Sequence, residues 1–136
     1  MASIYHSQTL SVAVQRGPGQ VYEYIYNLSN FPEWATSFCL SIRESGEKWI
    51  METPEGPATI RFVEKNQYGV LDHYVGTLSG DENLVSMRVV ANGMGSEVLL
   101  TAFQLQGMSD VKFAEDQGMV QRDLETLKSV LEGQAV

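Results

Sequence analysis

The feature that most restricts the fold of this chain is one long amphipathic segment near its end, residues 109–133. Ser109 is suited to cap a helix there, and Gly133 is suited to end it. The positions between them carry one apolar stripe at helical spacing, formed by Phe113, Val120, Leu124, Leu127 and Leu131. A long helix with a single apolar side must bury that side against another layer.

The stretch at residues 38–105 has the pattern of strands separated by turns. Four runs supply residues that adopt a positive φ or fix φ in a turn: PEGP (54–57), NQYG (66–69), SGDE (79–82) and NGMG (92–95). With the run before Gly46, they predict six consecutive strands joined by hairpins. An earlier strand is predicted at residues 8–15, where Leu10, Val12 and Val14 share one face at a period of two. The expected sheet therefore has seven strands.

Two short helices are predicted between the first strand and the other six. Pro18 is suited to the first turn of a helix, and an apolar stripe follows it at Val21, Tyr24, Ile25 and Leu28. The second helix is predicted at residues 29–35, with Asn30 as its cap and Pro32 in its first turn.

Composition limits the partners of the chain. Of its 136 residues, 43% are hydrophobic and 19% are charged, and no repeat or linker divides them, so one globular domain over residues 1–136 is expected. The formal net charge of -8 repels nucleic-acid phosphates and anionic membranes, so no nucleic acid is expected as a partner. No leader pattern and no run long enough for a membrane helix occurs, which predicts no membrane insertion and a cytoplasmic location.

The sequence lacks the motifs that are typical of disulfide-bonded, metal-binding, phosphate-binding and nucleophile-elbow proteins. Cys39 is the only cysteine, so an intramolecular disulfide is excluded and a reducing compartment fits. His6 and His73 are too few and too far apart for a metal motif, and no phosphate-binding glycine loop or nucleophile elbow occurs. No metal and no cofactor are therefore expected.

The predicted order of elements has few compact solutions: an antiparallel sheet curls, and the last helix closes its concave face. We therefore expect an α+β helix-grip fold, with a seven-stranded curved antiparallel sheet, two short helices after strand 1 and a long C-terminal helix. Such a fold can enclose a cavity between sheet and helix.

Over nearly its whole length the chain resembles the START-like (SRPBCC) superfamily, which includes Bet v 1-like proteins. The runs that carry a likeness to its bacterial polyketide cyclase/dehydrase-like branch are WIMETPEGP (49–57), GVLDH (69–73), MRVVANG (87–93) and DLETLK (123–128). The run LTAFQ (100–104) departs from that branch, in which we expect a second aromatic residue and an arginine. The resemblance implies the fold but does not single out one function. Lipid carriers, hormone receptors, cyclases, hydrolases and chaperone regulators all share this scaffold.

The first predicted hairpin supplies an apolar wall. If its tip is at residues 55–56, Met51 lies opposite Ile60 and Trp49 opposite Phe62, all on one face. These four side chains are candidate ligand-binding residues, and the alternative is that they are only core.

His73 is the candidate proton-transfer group, because its ordinary pKa is near neutrality. Closing the next hairpin places Phe62 near His73, although a slip of one residue would put Asp72 there. The hairpin after that sets His73 roughly across from Arg88. A catalytic, a ligand-anchoring and a structural role for His73 all remain open, with Arg88, Asp116 or Asp123 as its partner.

The remaining candidates lie on or near the predicted helices. Trp34 and Phe38 could gate the mouth of a cavity or simply seal the end of the sheet. Met119 offers adaptable apolar surface, and Asp123 lies beside the apolar stripe of the last helix. Gly118 costs that helix about 1 kcal/mol relative to alanine, so it marks close packing, room for a ligand or a tolerated weakness.

The leading functional hypothesis is a protein that binds a small hydrophobic or polyketide-like molecule, with His73, Arg88 or Asp72 orienting its polar groups. The first alternative is a cyclase, dehydratase or isomerase that uses His73 as general acid/base. The second is a cochaperone-like protein-interaction module. A homodimer is compatible with all three.

Overall fold

The structure, a computed structural model, describes residues 3–134. Within them the elements follow in the order β1 (Ser7–Val14), α1 (Pro18–Tyr26), a 3-10 turn (Leu28–Asn30), α2 (Phe31–Trp34), β2 (Ser41–Ser45), β3 (Lys48–Thr53), β4 (Gly56–Phe62), β5 (His73–Gly76), β6 (Glu82–Asn92), β7 (Gly95–Phe103) and α3 (Asp110–Glu132). The predicted order of one strand, two helices, six strands and a long helix is confirmed.

The strands of the described chain form one antiparallel sheet in the spatial order β1-β7-β6-β5-β4-β3-β2. Hairpins or short loops join β2 through β7, and β1 closes the arrangement by pairing with β7, as in the pairs Leu10–Leu100 and Val12–Val98. The sheet curves, and α3 packs across its concave side. This is the expected α+β helix-grip architecture.

Each helix begins where local chemistry favours it. Pro18 occupies the first turn of α1, and the side chains of Val21 and Ile25 are fully buried. The predicted capping role of Asn30 is wrong. Its amide donates a hydrogen bond to the carbonyl of Tyr24 (2.9 Å), and it is the side chain of Asn27 that accepts the Ser29 N–H at the start of the 3-10 turn.

The predicted stripe of α3 is its buried face. Ser109 caps the helix by accepting the N–H of Lys112 at 3.1 Å. Leu124, Leu127 and Leu131 are fully buried, and Phe113 is nearly so. Gly118 is not tightly packed, because a Cβ atom there would meet only the Arg122 guanidinium at 3.9 Å. The close-packing interpretation of this glycine is therefore wrong.

The hairpin between β3 and β4 turns one residue earlier than the predicted tip at residues 55–56. Thr53 pairs with Gly56, so Trp49 lies opposite Ile60 rather than Phe62, and Met51 lies opposite Ala58. A register shift of two residues keeps every side chain on its predicted face. In the next pairing, Phe62 lies opposite His73 as predicted.

No helix in the described part of the chain is both long enough and apolar enough to cross a membrane.

Candidate functional site

A cavity of about 340 Å³ lies between the concave face of the sheet and α3. Its wall is mostly apolar and comes from α2 and the segment after it, from the inner face of the sheet and from one side of α3. The apolar side chains that line it include Phe31, Trp34, Phe38, Met51, Ile60, Val85, Leu100, Ala102, Phe113, Val120 and Leu124. The volume is at the low end of the range for small-molecule sites.

The cavity wall includes residues at the place where the neighbouring strands β6 and β7 part. The β6–β7 ladder ends at the pair Ser86–Thr101, although β6 extends to Glu82 and β7 to Phe103. Beyond that pair, the end of β6 pairs with β5 and the end of β7 pairs with β1. Residues of both ends line the cavity, and Leu84 and Phe103 are exposed there.

His73 lies in the wall, on the inner face of β5, and is almost completely buried. Its Nδ1 is 2.9 Å from the carbonyl oxygen of Leu71. Because a carbonyl oxygen can only accept, Nδ1 carries the proton, and Nε2 of the neutral ring has a free lone pair. Phe62 and Phe31 contact the ring edge-on, with centroids 5.0 Å and 6.2 Å away. Burial lowers the pKa of His73, outweighing the Leu71 hydrogen bond and the charge of Asp72.

The predicted pairing of His73 with Arg88 is wrong, because His73 lies opposite Val85. The turn closes at Thr77 and Asp81, where Thr77 N–H donates to the Asp81 carbonyl at 2.9 Å. The register therefore differs by three residues from the predicted one, and an odd shift moves a side chain to the opposite face. Among the described residues, no carboxylate accepts a hydrogen bond from His73, so the proposed acidic partner is also not observed.

Asp72 and Arg88 face away from the cavity and form an ion pair with each other. The carboxylate of Asp72 also accepts the backbone N–H of Met87 at 2.9 Å, and Arg88 donates to the Met87 carbonyl at 3.0 Å. These contacts hold the segment before β5 against β6. The two residues support the position of His73 without contacting the cavity.

Asp123 is brought into the wall, where only 3% of its surface is exposed. Its carboxylate accepts the backbone N–H of Ser37, with oxygens at 3.1 and 3.3 Å. Burial raises the pKa of Asp123, although the bond from Ser37 and the positive charge of Arg122 oppose this change. An acidic group thus borders an otherwise apolar space.

Two further polar atoms of the wall are buried without a hydrogen-bond partner in the described chain: Trp34 Nε1 and Gln117 Oε1. Gln117 was not among the site residues predicted from the sequence. It lies four residues after Phe113 and three before Val120, so it occupies a position of the apolar stripe. A polar residue at such a position is the pattern that could have identified it.

The structure thus brings six candidate residues together in the wall and leaves five outside it. Those in the wall are Trp34, Phe38, Met51, Ile60, His73 and Asp123. Those outside it are Trp49, Phe62, Asp72, Arg88 and Met119. Trp49 and Phe62 are on the inner face but border a separate surface groove beside Tyr26 at the end of α1.

Acid titration offers a test of the burial of His73. In the folded protein its pKa is lowered, whereas in the unfolded chain it is about 6.5, so below that pH the unfolded state binds a proton that the folded state does not. The contribution is complete above about pH 6.5 and is lost as the pH falls towards the lowered folded pKa, at up to about 1.4 kcal/mol per pH unit. We expect the free energy of unfolding, measured with urea between about pH 7.5 and about pH 5.5, to fall less steeply for His73→Asn than for the natural protein.

The matched control is His6→Asn, since His6 is exposed. It should retain the steep fall of the natural protein. Equal slopes for His73→Asn and the natural protein would contradict the buried, neutral imidazole.

No family model and no curated protein matches the sequence. Solved structures do match. The Aha1 dimer from Colwellia psychrerythraea has a TM-score of 0.75 at 13% identity, covering 94% of this chain and 97% of that one. DynU16, from the dynemicin biosynthetic locus, has a TM-score of 0.69 at 14% identity, covering 93% and 47%. Ara h 8.0201 has a TM-score of 0.65 at 9% identity, covering 95% and 99%.

These likenesses show the fold. The chain has the helix-grip architecture of Bet v 1-like proteins, with a curved sheet and a long C-terminal helix.

Proposed function

We propose that this protein binds a small, mainly apolar molecule in the cavity between the curved sheet and α3. The observation that carries the proposal is about 340 Å³ of space surrounded by apolar and aromatic side chains. Protein interiors normally contain few voids larger than a water molecule, which occupies about 30 Å³. Apolar space of this size between the sheet and α3 is better explained by a ligand than by imperfect packing.

Burial of apolar surface would supply most of the affinity, at about 25 cal/mol per Å², partly offset by the loss of ligand freedom. The few polar atoms in the wall would orient the molecule. The resemblance of the sequence to polyketide cyclase-like proteins favours a polyketide-like ligand.

Thermal unfolding in the presence of a library of apolar, acyl and polycyclic aromatic compounds tests the proposal. A compound that binds only the folded state at a concentration of about 100 Kd adds about 2.7 kcal/mol to its stability. We expect several compounds to raise Tm, with saturable binding confirmed by calorimetry. If no compound in the library raises Tm, the proposal is wrong.

The free Nε2 of His73 favours a second candidate, an enzyme of cyclase, dehydratase or isomerase type. A neutral imidazole whose Nδ1–H is held by a carbonyl keeps Nε2 available as a general base. The thiol of Cys39 does not line the cavity, and burial raises its pKa to about 11. This candidate requires that His73→Gln remove turnover of a bound compound while leaving its Kd unchanged.

A further inference from the structure

The charged side chains that line the cavity in the described chain are both acidic. Within the described chain, the wall contains no lysine or arginine, whereas Asp116 and Asp123 both belong to it. Asp116 already pairs with Lys112 at 3.0 Å. Among residues 3–134, Asp123 has no such ion pair, and its carboxylate accepts a hydrogen bond only from the backbone N–H of Ser37. His73, the remaining titratable group of the wall, is buried in its neutral form.

This arrangement is unfavourable to an anionic ligand. A carboxylate that enters an apolar cavity loses its hydration and needs a cation or several donors in return. Here it would instead meet the Asp123 carboxylate, and like charges repel strongly where water is excluded.

Besides Nε2 of His73, the described part of the wall holds a donor and an acceptor that are buried without a hydrogen-bond partner. Trp34 is 4% exposed and Gln117 is 8% exposed, and both line the cavity. The indole N–H of Trp34 can only donate, and Gln117 Oε1 can only accept. A buried polar atom without a partner is costly, so a ligand that satisfies both atoms gains over one of the same shape that does not.

We propose, resting on the function proposed above, that the ligand is an uncharged molecule with an apolar body and a hydroxyl-type group that both donates and accepts hydrogen bonds. In this assignment Trp34 N–H donates to the ligand and Gln117 Oε1 accepts from it. Asp123 excludes carboxylated analogues. The cavity thus selects alcohols and phenols over fatty-acid-like and phosphorylated compounds.

Three probes with one apolar body test this selection: 2-naphthol, 2-naphthoate and 2-methylnaphthalene. We expect Kd values measured by calorimetry near neutral pH to be lowest for 2-naphthol, by at least tenfold relative to 2-naphthoate and severalfold relative to 2-methylnaphthalene. Gln117→Leu and Trp34→Phe should each bring the ratio of the Kd values for 2-naphthol and 2-methylnaphthalene close to one. Gln121→Leu, on the same helix but outside the wall, is the matched control and should change none of the three values.

Asp123→Asn separates the effect of charge from the effect of shape, because the asparagine oxygen can still accept the Ser37 N–H. The variant should bind 2-naphthoate several times more tightly than the natural protein and leave 2-methylnaphthalene unchanged.

The outcomes distinguish this inference from the proposed function. Equal Kd values for the three probes, or tightest binding of the carboxylate, would overturn the inference while leaving a ligand-binding cavity. Failure of all three to bind would also overturn it, because 2-naphthol carries every group that it requires. The proposed function would then depend on the wider library alone.

Discussion

Replacing Ala102 with phenylalanine should weaken the binding of any cavity ligand by at least tenfold while the protein stays folded. Ala102 lies on the inner face of β7 and belongs to the cavity wall, near the place where β6 and β7 part. A phenyl ring at this position projects into the space that a ligand needs. Its own apolar surface is buried in the process, so the fold does not lose stability for lack of contacts.

The expected changes in affinity and in stability differ in sign. Filling a cavity commonly stabilises a protein by about 0.5–2 kcal/mol, whereas a tenfold loss of affinity corresponds to about 1.4 kcal/mol of binding free energy. We therefore expect a raised or unchanged Tm for the unliganded variant and a much smaller ligand-induced shift. Calorimetry with 2-naphthol gives the change in Kd directly.

Ala13→Phe is the control for this substitution. Ala13 is exposed on β1, and its register neighbour Glu97 is on the outer face of the sheet. The control should bind 2-naphthol with the Kd of the natural protein. A well-folded Ala102→Phe variant that retains full affinity would show that ligands bind elsewhere.

The sequence predicted the layers of this fold because each layer repeats a simple pattern. Leu10, Val12 and Val14 give the inner face of β1, and the stripe from Phe113 to Leu131 gives the buried face of α3. Each of these patterns spans several turns or residue pairs, so a small error in the boundaries does not change which side is buried.

Register was harder to predict, because it depends on where a turn closes rather than on composition. An error of two residues in the first hairpin left Trp49 and Met51 on their predicted face. An error of three residues between β5 and β6 moved Arg88 from beside His73 to the outer face, where it pairs with Asp72. The predicted contact between His73 and Arg88 is wrong for this reason.

The sequence also could not predict how far the cavity extends along each strand. Phe62 shares the inner face with Ile60, yet it packs against Tyr26, with ring centroids 5.4 Å apart, because α1 covers that part of the sheet. Ile60 lies in the cavity wall. Alternation along a strand identifies the inner face but not which helix lies over it.

Of the substitutions in this article, Gly69→Ala should lower the free energy of unfolding most, by at least about 3 kcal/mol. Gly69 has a φ of +74°, a conformation that costs an alanine about 1–2 kcal/mol. In addition, a Cβ atom at this position would overlap the backbone carbonyl oxygen of Val89. A backbone atom within the β6–β7 ladder cannot move aside as the end of a flexible side chain could.

The control is Gly93→Ala in the β6–β7 turn. Gly93 has a similar φ of +60°, but a Cβ atom there has no neighbour within 4 Å. Both substitutions reduce the freedom of the unfolded chain equally, so the difference between them measures the close approach to Val89. In urea denaturation we expect Gly93→Ala to lower the free energy of unfolding by about 1 kcal/mol and Gly69→Ala to lower it by at least about 3 kcal/mol. Equal losses would be incompatible with the contact.

Gly69 also bears on the cavity, because its close approach to Val89 fixes the chain that leads to His73. Val89 N–H donates to the Gly69 carbonyl at 2.9 Å, and Leu71 N–H donates to the Met87 carbonyl at the same distance. The carbonyl of Leu71 then holds Nδ1 of His73. A displaced segment at Gly69 would move this acceptor, so Gly69→Ala should weaken 2-naphthol binding as well as folding. Gly93→Ala should leave the binding unchanged, because its turn is remote from the wall.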